Sequence, residues 1–473
     1  MKTLTADRSI LLILLLLVII RGIIYLTVVP PWLAPDEATH FEAIRLIGQE
    51  GLWPTEDVYQ STPMHPQMHA SFEKYRVWQL SGLPSPRGQR TPGDPTSDPY
   101  VAYYPAHKGG SAVVAGNYPL LYHILLSPLA TWLKSASIDR QLYLFRLTSL
   151  FLTTLTVMAG WFFARTLVPY TITYAVAVAS FLIFLPMHLH INTSVNTDVL
   201  ATVLTSFYFL ALAKLFCGSP GAGWKAGLLL FFVAALLVKP TTLFIAPTSA
   251  AAAIIYIARR RRWPGVWLAA ILIGLVAAVA VGSIPFYQWS AGGRGVATLS
   301  FAIGVVDWPF IYVSRQTLLT FVDTVRWTFL SFWGLFGWTS IPISNGWTRF
   351  WWGLTLLVGS GLGLFYFKYI FSRSKRQTLT ASQQDFLVVL LLAVSFALIG
   401  AFTPTIATQF TWWGPQSRYL FPALLPISLL FFIGFQQLFP ARFNRFALPL
   451  YLTLFVVFDS AVLFGRLIPF IYG

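Results

Sequence analysis

A single cysteine, Cys217, in 473 residues excludes an intramolecular disulfide. Charge is scarce as well. Charged residues make up 10% of the chain against 56% hydrophobic ones, and the mean hydropathy of +0.67 excludes a water-soluble domain of this length. Acids are the rarer sign, 16 against 32 Lys and Arg, which leaves a net charge of +16. That excess does not imply nucleic acid: the basic residues gather in short tracts between apolar segments and form no patch carrying a DNA- or RNA-binding motif. It fits loops that set orientation and touch anionic membrane lipid. The chain also lacks an internal repeat of the kind that builds inverted-repeat transporters, and it lacks sustained strand alternation.

What is present is apolar sequence in lengths that span a bilayer. Ile10 to Val29 is interrupted only by Arg21 and Gly22, and no small-residue cleavage site follows it, so it reads as a retained helix. Further segments at about 142–164, 169–187, 197–216, 223–238, 241–257, 264–285, 351–371, 386–403, 420–438 and 446–468 bring the expected crossings to about eleven. The expected fold is an all-α polytopic membrane protein. Two shorter stretches, Pro119–Leu133 and Trp327–Trp338, suit interfacial or re-entrant helices.

If neither short stretch crosses, the Lys/Arg-rich short loops all fall inside, including Arg165, Lys214 with Lys225, Arg259–Arg262 and Arg442 with Arg445. Residues 30–141, the turn His188–Asp198, residues 286–350 and the turn Thr403–Arg418 then face out. All seven histidines lie on that outer side, as do all acids except Asp7, Asp385 and Asp459. Avoidance of lipid by titratable groups accounts for the sorting, though not for the acids gathered at helix ends.

Those acids are the candidates for chemistry. Asp36 and Glu37 follow the first helix in Pro35-Asp36-Glu37-Ala38-Thr39-His40-Phe41. Being adjacent, they point different ways, and one of them faces a given substrate. Asp198 opens a helix in Ser194-Val195-Asn196-Thr197-Asp198, where a carboxylate suits the free N–H groups but equally serves as an N-cap. Lys239, in Val238-Lys239-Pro240, and Arg418, in Gln416-Ser417-Arg418-Tyr419, sit at helix ends on the same side, placed either to hold a phosphate or to snorkel. Arg146, one turn into its helix, fits a phosphate or a loop acid. His188 and His190, two apart, point to different sides of a helix, and no histidine has a His-Glu-x-x-His spacing. A metal would favour oxygen ligands such as Asp36 and Asp198, in keeping with Mg or Mn. Trp412 and Trp413, close to Arg418, could stack on a sugar ring.

In their order these motifs resemble a family. Pro35-Asp36-Glu37-Ala38-Thr39-His40-Phe41 is similar to the Pro-Asp-Glu-x-x-His-Phe signature of bacterial membrane proteins of the GT-C glycosyltransferase superfamily, long catalogued as a domain of unknown function. Asn117-Tyr118-Pro119-Leu120-Leu121-Tyr122, the helix with Arg146, the Asp198 motif, Lys239-Pro240 and Gln416-Ser417-Arg418-Tyr419-Leu420-Phe421-Pro422 follow in the family's order. Ala38 and Thr197 stand where Pro is usual, and Ser417 where Gly is usual; none of these removes a charged group.

The resemblance implies one GT-C-like domain over 1–473, with a first extracytoplasmic loop at 30–141 and a second at 286–350. It implies transfer of a monosaccharide, with inversion, from a polyprenyl-phosphate donor to a hydroxyl of a cell-envelope glycan or lipid, at the outer face of the cytoplasmic membrane. Asp36 would be the general base, helped by Glu37, with Asp198 orienting the acceptor or binding a divalent cation. Arg418, Lys239 and Arg146 would hold the donor phosphate, and His40, Asn196, Tyr419 and Trp413 the substrates. The rival expectations are a transporter or flippase of lipid-linked saccharides, which would lean on the intramembrane Asp459, and a polysaccharide polymerase.

Overall fold

The computed structural model describes residues 2–54, 58, 65–81, 120–218, 220–261, 267–268, 270–280, 315–371, 379–407 and 416–473. The first apolar run forms α1, Lys2–Val28, whose 27 residues cover about 40 Å at ~1.5 Å each. The segment after it folds into α2, Glu37–Arg45, then α3, Pro66–Lys74, and the single turn α4, Val77–Ser81. The first short stretch becomes α5, Leu121–Trp132, a 12-residue helix too short to cross.

The bundle continues through α6, Ile138–Leu167, and α7, Thr173–Phe184. At Pro186 the chain breaks by 63° into α8, Pro186–Asn192, because proline supplies no N–H to continue the α7 ladder. Then come α9, Thr197–Cys217, α10, Ala222–Leu236, α11, Ile245–Arg260, and α12, Ala270–Ala280. After α13, Arg315–Gly334, a two-residue pair, β1 Leu335–Phe336 and β2 Ile341–Pro342, closes a tight hairpin with Leu335 opposite Pro342. The chain ends with α14, Asn345–Phe371, α15, Ala381–Ala407, a 3₁₀ turn Ser417–Ala423 leading into α16, Leu424–Gln437, then α17, Ala447–Val462, and α18, Ile468–Tyr472.

The protein is an all-α polytopic membrane protein. Among the described residues eight helices are long and apolar enough to cross a membrane, nine if the bent pair α7 and α8 counts as one span. Each of the eleven expected segments carries a helix. The two that fall short of a span are α10, of 15 residues, and the stretch at 264–285, described only as 267–268 and α12. The second short stretch, expected as an interfacial or re-entrant helix, divides between the end of α13 and β1.

The helices bury their facing apolar residues and leave large ones such as Leu12, Phe151, Leu356 and Phe464 on the outside, the pattern lipid contact requires. Aromatic stacking fixes the α13–α14 contact: Trp333 and Trp351 lie parallel with ring centroids 3.6 Å apart. A second core, built on Trp32, Phe41, Phe72, Trp78 and Phe145, seats α2 to α4 against α5 and α6 at one end of the bundle. Inside the bundle, Asp459 of α17 is paired with Arg21 of α1 and accepts from the Tyr25 hydroxyl at 2.8 Å. This cross-tie satisfies a carboxylate that would be costly in hydrocarbon.

At one crossing only glycine fits. A Cβ on Gly361 of α14 would lie 2.2 Å from the Gly434 carbonyl oxygen of α16, and one on Gly434 would lie 2.3 Å from the Val358 oxygen. Backbones meet there directly, as in small-residue crossings of membrane helices. Gly434→Val is expected to cost at least about 1–3 kcal/mol by overpacking. Gly363→Ala, where nothing lies within 4 Å, should leave the thermal midpoint in detergent unchanged. Equal midpoints for the two variants would contradict the crossing.

Candidate active site

The site grows out of the turn that leaves α1. Two non-glycine residues there, Trp32 at φ 70° and Asp36 at φ 62°, take the left-handed conformation, which is strained for a side chain. The cause is Glu37. Its carboxylate is fully buried and accepts from Arg146 Nε (2.8 Å) and Nη2 (2.6 Å), and from the backbone N–H groups of Trp32 (2.9 Å) and Val195 (3.1 Å). Arg146 Nη1 donates to the carbonyls of Leu26 (3.1 Å) and Val29 (2.7 Å), and Nη2 also to Pro30 (2.9 Å). All five guanidinium donors are thus engaged, three of them on carbonyls at the end of α1. The pair ties the ends of α1, α2 and α9 to the body of α6, more than two turns in from its start, and Arg146 keeps no donor for a phosphate. Of the two uses the sequence left open for it, the geometry adopts the partner of a loop acid.

Asp36 stands at the N-cap of α2, yet its side chain makes no capping bond. It turns to Arg418, whose Nη2 lies 2.5 Å from Oδ2. Arg418 Nη1 also comes within 3.7 Å of Asp198 Oδ2, and Lys239 Nζ donates to Asp198 Oδ1 at 2.7 Å. The result is a chain of alternating charge, Asp36, Arg418, Asp198, Lys239, contributed by four separate elements. Asn196, not Asp198, caps α9: its Oδ1 accepts from the Asp198 N–H at 3.0 Å, while its amide donates to Pro35 O at 3.1 Å. Asp198 is thereby left to face the cations. Lys239 and Arg418 are 3% and 6% exposed at their side chains, so neither snorkels; Asp36, at 24%, is the member that solvent reaches.

The electrostatics follow from this packing. Burial alone would raise the Asp36 carboxyl, but the Arg418 guanidinium, with His40 and Lys239 behind it, holds it at about 2. Burial lowers the Lys239 ammonium, and Asp198 offsets only part of that. His40, one turn into α2, places Nδ1 3.0 Å from His123 Nε2 of α5; burial, with His123 second, pushes it well below the usual imidazole range, so it is neutral. Tyr419 lies under the cations, its ring centroid 5.3 Å from Lys239 Nζ and 5.8 Å from Arg418 Cζ. Trp413 and Trp412 lie outside the described residues, as do Asn117 to Pro119.

Beside the chain of charges is a pocket lined by Pro35, Met187, Ile191, Gln416, Ser417 and Arg418, with Thr339 of the β1–β2 hairpin at its wall. Thr339, at φ 71°, is another strained residue, and the hairpin is held by the Gly337 N–H donating to His190 Nε2 at 3.2 Å. Sequence reasoning missed this hairpin, because two-residue strands leave no periodicity to read. It likewise gave no role to His123 or Trp32, whose signal, adjacency to the Asp36 motif in space, exists only in the fold.

The donor set does not fit a resident divalent cation. Asp36 and Asp198 each already face a cation at hydrogen-bond distance. Among the described residues no group of three or more His, Cys, Asp or Glu is disposed to hold a metal. Compared with models of known families, with curated proteins and with solved structures, the chain matches none.

Proposed function

We propose that the protein is a glycosyltransferase of GT-C type, with about eleven crossings in one domain over 1–473. It moves a monosaccharide from a polyprenyl-phosphate donor to a hydroxyl of a cell-envelope glycan or lipid, at the extracytoplasmic face of the cytoplasmic membrane. The observation that carries the reading is the Asp36–Arg418 pair: the most solvent-accessible carboxylate of the site beside a buried guanidinium, at the end of the bundle where α1 emerges. A base and an anion holder side by side are what transfer from a phosphate leaving group requires.

In this mechanism the acceptor hydroxyl attacks the anomeric carbon from the face opposite the phosphate, so the configuration inverts. Its proton passes to Asp36. The bond from the anomeric carbon to the phosphate oxygen breaks, and the lipid phosphate leaves with the electron pair, its charge met by Arg418 and, behind it, Lys239. Asp198 holds both cations in place, and Glu37 acts on Asp36 through the backbone by fixing the turn with Arg146. While Arg418 stays on Asp36 the carboxylate is a weak base. A phosphate that draws Arg418 toward itself removes the cause of the depression, and burial then raises the carboxyl.

This has a signature in pH. In the free protein Asp36 stays ionised until the pH nears about 2, so kcat/KM should show no acid limb from this group between neutrality and the ordinary carboxylate range. In the donor complex the limb of kcat should lie at higher pH. Stability runs with the same sign: the pair's contribution is complete above the ordinary value of 3.8 and is lost as pH falls through about 2. Coincident acid limbs in kcat and kcat/KM would contradict the handover of Arg418.

Asp459, on which a transporter would lean, is tied to Arg21 and Tyr25. Proteoliposomes loaded with a radiolabelled polyprenyl-phosphate sugar separate the readings. Appearance of label in a new glycosidic bond, with free polyprenyl phosphate left behind, is the expected result; movement of intact donor between leaflets with no new bond would favour a flippase.

A further inference from the structure

Arg146 spends all five donors, whereas Arg418 does not. Among the described residues its Nε is buried without a hydrogen-bond partner, and Nη1 reaches Pro35 O only at 3.5 Å. The preceding residue repeats the pattern. Ser417 is fully buried, and its Oγ has no partner among the described residues. Its backbone N–H is used, donating to Ser331 Oγ at 2.9 Å, and that hydroxyl in turn donates to Thr328 O at 2.9 Å, so Ser331 has no proton left for Ser417. A buried hydroxyl left unpaired costs about 1–3 kcal/mol, a penalty an alanine at the position would avoid. Ser417 and Arg418 line the same pocket, with Pro35 adjoining Asp36 on one side and the apolar Met187, Ile191 and Leu335 on the other.

We propose that Ser417 Oγ and Arg418 Nε form a subsite for phosphate-ester oxygens, Ser417 being the residue that sets affinity for the donor's phosphate. The inference rests on the glycosyltransferase reading for the identity of the donor. Its chemistry is that of a tetrahedral oxyanion meeting one hydroxyl donor and one charged N–H donor. The apolar wall keeps water from competing for either group.

The test uses the full-length protein in detergent, with binding of polyprenyl phosphate, inorganic phosphate and neutral polyprenol measured for wild type, Ser417→Ala and Ser417→Thr. Ser417→Ala is expected to melt at the wild-type temperature or above, since it removes an unpaired polar group, and to bind polyprenyl phosphate about tenfold more weakly. Ser417→Thr should restore binding, and polyprenol should bind all three alike. A matching loss for inorganic phosphate supports the subsite and shows that the anion alone is read; a loss confined to polyprenyl phosphate supports it with the lipid ester as the ligand. Unchanged affinity of Ser417→Ala for both phosphates, or no binding of either by wild type, overturns the proposal. Should alanine not fold, Ser417→Cys carries the same comparison. Phosphate binding that depends on Ser417 without any sugar transfer would sink the glycosyltransferase reading and leave the subsite standing.

Discussion

Glu37→Gln and Arg146→Met are each expected to destabilise the protein by about 3–5 kcal/mol, the effect of stripping one partner from a buried ion pair. Glu37→Gln leaves the guanidinium, 1% exposed, without its counter-charge. Arg146→Met leaves a fully buried carboxylate on two backbone N–H groups and deprives the Leu26, Val29 and Pro30 carbonyls of their donor. Because the residues form one network, the double variant Glu37→Gln/Arg146→Met should lose less than the two single losses added together. Thermal midpoints of the detergent-purified proteins check this. Single variants that melt with wild type would contradict the role of this pair in holding the α1–α2 turn, and with it the placement of Asp36.

Asp36→Asn is expected to act on rate. The amide is nearly isosteric but cannot take the acceptor's proton, and losing a positioned base lowers transfer by about 10²–10⁴-fold. The accompanying loss of stability is bounded by the pairing with Arg418: a carboxyl held at about 2 against an ordinary 3.8 corresponds to about 2 kcal/mol. Because asparagine no longer holds Arg418, the donor meets a freer guanidinium. KM for the donor should stay level or fall while kcat collapses. A rise in KM with kcat unchanged would make Asp36 a binding residue and shift the base to another carboxylate.

Much of the fold was legible because hydrocarbon imposes a simple rule: an apolar run of bilayer length becomes a helix. Among the described residues each expected segment carries a helix, eight or nine of them long enough to cross, and Asp36, Asp198, Lys239 and Arg418 lie at element ends where the sequence placed them. What the sequence could not resolve was pairing. Asp36 and Glu37 are indistinguishable neighbours in sequence, yet the left-handed turn at Asp36 sends one carboxylate to Arg418 and seals the other against Arg146. Asp198 looked equally suited to capping, a job taken by Asn196 two residues earlier. The His40–His123 contact joins residues far apart in sequence, which no local pattern reports, and the strands of the β1–β2 hairpin are too short to show a period. In the sequence Ser417 is merely the neighbour of Arg418; that its hydroxyl is unpaired among the described residues is a property of packing.

The most direct test of the central claim is transfer from a panel of radiolabelled polyprenyl-phosphate sugars to cell-envelope acceptors, by purified wild type and Asp36→Asn side by side, each with and without EDTA. Transfer by wild type from at least one donor, indifferent to EDTA and lost in Asp36→Asn, is the result this account requires. Equal transfer by the two proteins would remove Asp36 as the base, and transfer abolished by EDTA would contradict a site whose carboxylates are already matched by Arg418 and Lys239.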